Sequence, residues 1–318
     1  MTYQTSFADF EYSVKKRLTR RERFLNEMEK TVPWKKLVAI IEPNYPTTGR
    51  RGRQPIALSA KFRIYCMQNW FNFSDRQMED ALYEIESVRR FAGFSSVTER
   101  LPDESTILKF RHFLEKHKLT EKLLTAINQH LEEQGIMVSQ GTMVDATIIH
   151  APSSTKNKDK ARDPDMHQTR KGNQWYFGMK IHVGADVNSG AVHSVTTTAA
   201  NIADITELPN LIRDSDQVIF GDAGYMSNDY KRGARHLGIR WCVNDKRKPG
   251  RNLSSRQKKR NRQQSSIRAR VEHVFRVMKC QFGFTKTRYR GLEKNAVQVN
   301  MLIGLTNLYL LRKSLMAC

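Results

Sequence analysis

The chain has 318 residues, 39% of them apolar, which is enough material for a buried core and for two domains. Fifty-four Lys and Arg against 32 Asp and Glu give a formal net charge of +22, pointing to a polyanionic partner whose phosphates release counterions on binding. A membrane or disulfide-stapled protein is not expected: the start MTYQTSFADFEYSVKK has no apolar signal stretch, Ala296–Leu311 is interrupted by Gln298, Asn300 and Asn307, and Cys66, Cys242, Cys280 and Cys318 are scattered like cytoplasmic thiols.

Phe7–Glu29 reads as a charged helical stretch, and Pro33 suits the first turn of a second, short helix. Pro43–Pro55, PNYPTTGRRGRQP, is too rich in Pro and Gly to be helical. It is expected as an exposed basic loop, with Arg50, Arg51 and Arg53 either solvated or on phosphates. Helices are expected over Ser59–Phe71, over Asp75–Phe91 behind a Ser74/Gln77 capping box, and over Ser105–His117. Two helices joined by the tight NFS turn and followed by a third fit a helix-turn-helix DNA reader and a plain bundle equally well. Glu121–Gln134, with Thr120 as N-cap and Gly135 beyond its end, closes the helical part. The polar SQG at 139–141 then marks a boundary between a helical DNA-binding domain, 1–138, and a second domain, 139–318.

From Thr142 the pattern turns to strands. Thr142–Ile149 is a β-rich run broken by Asp145, and the polar stretch Ala151–Gln174 is expected as a long exposed loop. Phe177–Asp186 alternates, Asn188-Ser189-Gly190 turns the chain, and Ala191–Thr198 returns. A short helix at Asp204–Arg213, a strand at Gln217–Phe220, a helix at Ser227–Leu237 and a strand at Ile239–Val243 follow. A basic loop, Lys246–Arg262, leads to a late helix. Three strands in a meander, then helix–strand–helix–strand–helix, is the order of a ribonuclease H-like α/β fold: a mixed five-stranded sheet with flanking helices, here preceded by an all-α domain.

Between Lys246 and Arg290 there are sixteen Lys and Arg and one acid, Glu272. Over Ile267–Lys279 helical spacing puts Arg268, Glu272, Arg276 and Lys279 on one side, with Ile267, Val271, Val274 and Met278 as an adjacent apolar stripe. One carboxylate in so positive a surround suits a metal ligand beside a polyanion; a surface helix with an incidental Glu is the plain alternative. Asp145, flanked by Met143, Val144, Ile148 and Ile149, needs a partner. Asp222, in GDAGY, is either a turn residue or a ligand that glycines let something approach closely. In the expected fold the strands carrying Asp145 and Asp222 are neighbours and the late helix crosses them, so the three acids converge. Converging carboxylates repel unless cations neutralise them. All-oxygen ligation suits Mg²⁺ or Mn²⁺, and two such ions about 4 Å apart can activate a water or 3′-hydroxyl and stabilise the leaving oxygen. Asp186 fits the hairpin turn and Asp204 a helix cap. Lys180 and His182 share one face, towards the site or towards solvent. Trp175 and Tyr176 either pack in the hairpin or stack on an unpaired base.

The segments LPDESTILKFRHFLE, GTMVDATIIHAPSSTKNK, RDPDMHQTRKGNQWYFGMKIH, GDAGY and SIRARVEHVFRVMKCQFGF closely resemble bacterial insertion-sequence transposases of the DDE class, in the fifth insertion-sequence family. The resemblance covers nearly the whole chain. It implies that Asp145, Asp222 and Glu272 form the DDE triad around two Mg²⁺ (or Mn²⁺) ions. Arg268, Glu272 and Lys279 meet the R-x₃-E-x₆-K pattern, with Ser265 where a related family has Tyr, and the basic loop Lys246–Arg262 replaces a large β-insertion. Arg268 and Lys279 would then clamp phosphates beside the scissile bond, with Arg276 on the same helix side. The implied activity is binding of terminal inverted repeats in double-stranded DNA, hydrolysis at each end, and transfer of the 3′-hydroxyl into target DNA. A homodimer or larger synaptic complex in the cytoplasm, at the nucleoid, is implied as well. Rival readings are a DNA-binding regulator without catalysis and a ribonuclease H-like nuclease acting on RNA or a hybrid.

Overall fold

The computed structural model describes residues 14, 16–46, 55–138, 140–158, 160–247 and 249–317. Arg50, Arg51 and Arg53 lie outside the described residues. The chain forms two compact units, Met1–His117 and Lys118–Cys318.

The first unit is helical: α1 (Arg20–Thr31), α2 (Trp34–Ile41), α3 (Leu58–Phe71), α4 (Asp75–Glu84), α5 (Glu86–Ala92) and α6 (Glu104–Lys116). Its core is aromatic, with Trp70 buried edge-on against Phe24 and Phe91 at ring separations of 5.4 and 5.8 Å. Left-handed Asn72 ends α3, and the reciprocal Ser74/Gln77 capping box opens α4, as the sequence requires. The single helix expected over Asp75–Phe91 is broken at Ile85, whose backbone is extended. Arg89 donates to the carbonyls of Leu82 and Tyr83, satisfying acceptors left at the end of α4. Buried Arg111 of α6 pairs with Asp75 at 2.9 Å and Glu115 at 3.3 Å, tying α6 to the first turn of α4.

The second unit is built on a six-stranded mixed sheet: β1 (Thr142–His150), β2 (His167–Lys171), β3 (Gln174–Asp186), β4 (Val192–Ala199), β5 (Val218–Gly221) and β6 (Arg240–Val243). The order is β2-β3-β1-β5-β6, with β4 also on β3; β1 and β3 are antiparallel, β1, β5 and β6 parallel. This is the ribonuclease H-like arrangement with one strand more than expected. The extra strand, β2, lies within the stretch read as a loop, and a Gly172-Asn173 turn with Gly172 at φ 62° returns it onto β3. The rest of that stretch is tied down. Asp163 accepts the Gly291 N–H at 2.7 Å and Asp165 the Leu292 N–H at 3.0 Å, at the start of the last helix.

Around the sheet, α7 (Leu119–Glu133) comes first. The sequence groups this helix with the N-terminal ones, but it falls within the second compact unit. It follows left-handed Lys118, so Thr120, expected as its cap, lies inside the helix. A 3₁₀ turn at Asp204–Glu207 and one helical turn at Leu208–Leu211 replace the short helix expected to Arg213. Then come α8 (Asn228–His236), α9 (Ser255–Arg276), a π-helical turn at Val277–Gln281, and α10 (Leu292–Ala317). A Ser254/Gln257 capping box starts α9 at Ser255, so the second half of the expected basic loop is helical. One sheet face packs Val144, Ile219, Tyr225, Val243, Leu208 and Leu211. No helix among the described residues is long and apolar enough to cross a membrane.

A buried polar knot fixes the start of β1. Thr142 bonds Asp216 and, at 2.9 Å, the Nε2 of His193, while Arg213 reaches Asp216 at 3.2 Å and Asp186 at 3.6 Å. Burial, then the Arg213 charge, holds the His193 ring far below its usual 6.5, at about 3. The unfolded chain takes this proton below pH 6.5 and the folded chain does not until about 3. The stability tied to neutral His193 is therefore complete above pH 6.5 and is lost as pH falls toward 3. His193→Gln should flatten the acid limb of stability by about 2 kcal/mol at pH 5, read from thermal melts of both proteins between pH 7 and 4.

Candidate active site

β1 and β5 pair with Thr142 level with Ile219 and Met143 level with Phe220. Asp145 lies two residues beyond Met143 and Asp222 two beyond Phe220, so the same register, continued past its last pair, puts the two acids in one row. Alternation fixes their direction. Val144 packs in the core of one face, and a Cβ on Gly221 would stand 3.2 Å from both Val144 and Tyr225. Asp145, the next residue of β1, therefore turns to the opposite face, where α9 lies, and Asp222 follows Gly221 with its backbone still extended. Beyond β5, Asp222 caps the 3₁₀ turn Ala223–Tyr225, its Oδ1 accepting the Gly224 N–H at 2.8 Å. A Cβ on Gly224 would come within 2.9 Å of that oxygen, so glycine lets the loop close on the carboxylate.

α9 is anchored by Val271 and Val274, both fully buried, and carries Glu272 with 64% of its side chain exposed. Arg268 lies between the acids. One Nη donates to Asp145 Oδ2, and the other is 3.8 Å from Glu272 Oε1. The second Asp145 oxygen accepts its neighbour's N–H, from Ala146, at 2.9 Å. Burial lifts the Asp145 carboxyl to about 6 from an ordinary 3.8; Arg268 and the Ala146 N–H oppose the rise, and the charges of Asp222 and Glu272 add to it. The three carboxylates thus share one electrostatic neighbourhood. Among the described residues no three acid, His or Cys side chains close into a ready-made metal cage.

The other basic residues of the late helix are placed differently. Lys279, in the π turn, donates to Thr147 Oγ1 at 2.6 Å and to the Ile148 carbonyl at 2.9 Å. Burial, and then the nearby charge of Lys171, lowers its pKa. Arg268 and Lys279, expected on phosphates, therefore both hold β1; Arg276 is exposed on α9. Lys180 and His182 share a face, but it is not the face of Asp145, nor do they point freely to solvent. Lys180 pairs with Asp204 at 2.9 Å, and fully buried His182 bonds Thr198 at 2.8 Å. Asp204 is accordingly an ion-pair partner and makes no capping bond. Asp186 fills the hairpin-turn role expected of it, accepting from Asn188 and Ser189. Tyr176 rests 5.3 Å from the His150 ring, whereas Trp175 is 64% exposed and does not pack into the hairpin. The sequence reading missed Asp163 and Asp165. Their only signal was RDPDM, two acids spaced to meet successive N–H groups at a helix start.

A family model described as a transposase DDE domain matches residues 137–308, and one described as a transposase domain (DUF772) matches residues 12–113. The chain belongs to the DDE transposase family. No solved structure matches it. The insertion-sequence resemblance and the ribonuclease H-like sheet of this transposase agree with that membership.

The raised Asp145 pKa has a measurable consequence in the metal-free transposase. Because folding raises the pKa, ionising Asp145 costs stability: none below the ordinary carboxylate range, increasing up to pH about 6, level above. Asp145→Asn has no charge to bury there. In EDTA its stability relative to wild type should improve by up to about 3 kcal/mol as pH rises from 4 to 7. A constant difference between the two melting curves across that range would contradict the burial.

Proposed function

We propose that this transposase cuts and joins DNA at the ends of its insertion sequence, with Asp145, Asp222 and Glu272 as the acids that hold divalent metal. The reading is supported by the β1–β5 register, which, continued two residues past its last pair, puts Asp145 and Asp222 in one row, and by Arg268, which reaches both Asp145 and Glu272. The donor set is oxygen only, which suits Mg²⁺ or Mn²⁺. The Arg268 guanidinium, between Asp145 and Glu272, marks where positive charge is stabilised. Bound there, a pair of such ions would supply an activated water or 3′-hydroxyl and charge stabilisation at the leaving oxygen.

The chain's own residues have distinct tasks in this reading. Asp145, Asp222 and Glu272 would hold the cation, whose charge would replace that of Arg268 at Asp145. Arg268 would then be free to take a phosphate with two parallel donors, a geometry that Lys cannot reproduce. Lys279 holds β1 through Thr147 and Ile148 and so keeps Asp145 in its row. Arg276, exposed one turn beyond Glu272, adds charge facing the DNA. The helical first unit, with the α3–turn–α4 geometry, serves recognition of the terminal inverted repeats. Handling two ends and a target together calls for a homodimer or larger synaptic complex, working in the cytoplasm at the nucleoid.

Asp145→Asn, Asp222→Asn and Glu272→Gln should each lower Mg²⁺-dependent nicking of end DNA by more than the roughly 100-fold that loss of a supporting group around a metal costs. Binding of the same DNA in EDTA should stay close to wild type, and the rise in melting temperature on adding Mn²⁺ should disappear. Undiminished nicking by any variant removes that residue from the site. Tight end binding by the wild type with no metal-dependent nicking would make the protein a regulator instead.

A further inference from the structure

Residues 174–177 of β3 pair with β2 and, among the described strands, with no other. The Phe177 carbonyl still accepts the Ala151 N–H at 2.8 Å, and beyond it the β2–β3 hairpin runs past the sheet as a two-stranded arm, by about 10 Å at the usual rise per residue. Such a ribbon is marginal on its own. This one is secured at its base: Met166 is buried, Asp163 and Asp165 bond the start of α10, and Arg162 lies over the Phe177 ring at 5.3 Å. Its outer part is exposed. Arg170 stands directly across from Trp175, so both project from the same face. Arg170 also stiffens the tip, donating to the Gly172 carbonyl and, at 3.2 Å, to Asn173.

Three features point to one kind of occupant. Trp175 is 64% exposed on an element whose backbone is held in place. There is no acidic residue from Met166 to Ala185, while Arg170 and Lys171 stand at the tip. By alternation along β3, Trp175 lies on the same sheet face as Val183, the partner of Asp145, while on the other face Tyr176 meets His150 at the end of β1. A flat, exposed aromatic ring with a guanidinium on the same face and a second cation at the tip, beside a site that works on DNA, matches the way single-stranded nucleic acid is held: bases on aromatic faces and phosphates on Lys and Arg.

We propose that the β2–β3 arm is a clamp for unpaired DNA, in which Trp175 stacks on a base freed from the duplex while Arg170, on the same face, takes a flanking phosphate and Lys171, on the other face, adds charge at the tip. The proposal rests on the DNA-cutting reading only for its substrate. It concerns binding, without metal, and so fails or stands independently of the acid triad.

The experiment uses the full-length protein in EDTA and two DNAs: a blunt duplex carrying the element's end, and the same duplex with a short unpaired extension containing 2-aminopurine. The wild type should bind the extended DNA more tightly and quench the 2-aminopurine. Trp175→Ala should lose about 5- to 150-fold on the extended DNA, the range expected for one base–aromatic stack. It should bind blunt DNA as before, and Trp175→Phe should keep most of the preference. Lys171→Ala should weaken both DNAs alike and lower the salt slope by about one. Equal loss on both DNAs by Trp175→Ala, unchanged quenching, or a change of oligomeric mass in place of a change in DNA affinity would overturn the clamp.

Discussion

A parallel pairing only two residues long, Thr142 with Ile219 and Met143 with Phe220, decides which side chains of β1 and β5 share a row. Slipping it by one residue would turn Asp145 into the apolar face and present Val144 to α9, because strand side chains alternate. So short a ladder cannot hold its register unaided. Thr142 is fully buried and locked into the Asp216, His193 and Arg213 network, and Gly141 lies where any Cβ would strike Val218. At the other end Lys279 clasps Thr147 and Ile148. The polar knot, the close glycine approach and the lysine clasp are thus all means of fixing one row.

Holding that row creates a conflict of charge. Asp145 is pulled out of water, and its neighbours of the same sign make ionisation harder still. Arg268 relieves this only in part, since a buried ion pair recovers little more than its own desolvation. Added positive charge beside Asp145 would ease its ionisation further. The same conflict accounts for the one acid in so basic a helix: Glu272 compensates Arg268 across one turn while the rest of the helix stays positive.

Much of this was legible in the sequence, and for identifiable reasons. The strand with Asp145 announces itself by a charge among β-branched residues, and the late helix by an apolar stripe at Val271 and Val274, both buried in the fold. Ser74 with Gln77 marked a helix start because a capping box is local chemistry. Where boundaries failed, the deciding contacts were not local. Ile85 breaks a helix whose freed carbonyls are met by Arg89. The expected basic loop becomes the first turns of α9, where Arg260 pairs with Asp245 fifteen residues away. The roles of individual cations were the least legible. A helical wheel puts Arg268 and Lys279 on one side but cannot say that each reaches back to β1 before it reaches any phosphate.

β2 shows the same limit from the other direction. HQTRK has neither the apolar alternation of a half-buried strand nor a core to face, and four of its five residues are exposed. Its strand geometry comes from pairing with β3 and from the Gly172-Asn173 turn, while the base of the hairpin is held by Asp163 and Asp165, over 120 residues from the helix start they bond. Polar composition therefore pointed to a loop for a sound physical reason: the segment buries almost nothing of its own. A strand that gains so little from burial owes its order to contacts distant in sequence, and the hairpin it forms with β3 leaves Trp175 of β3 exposed.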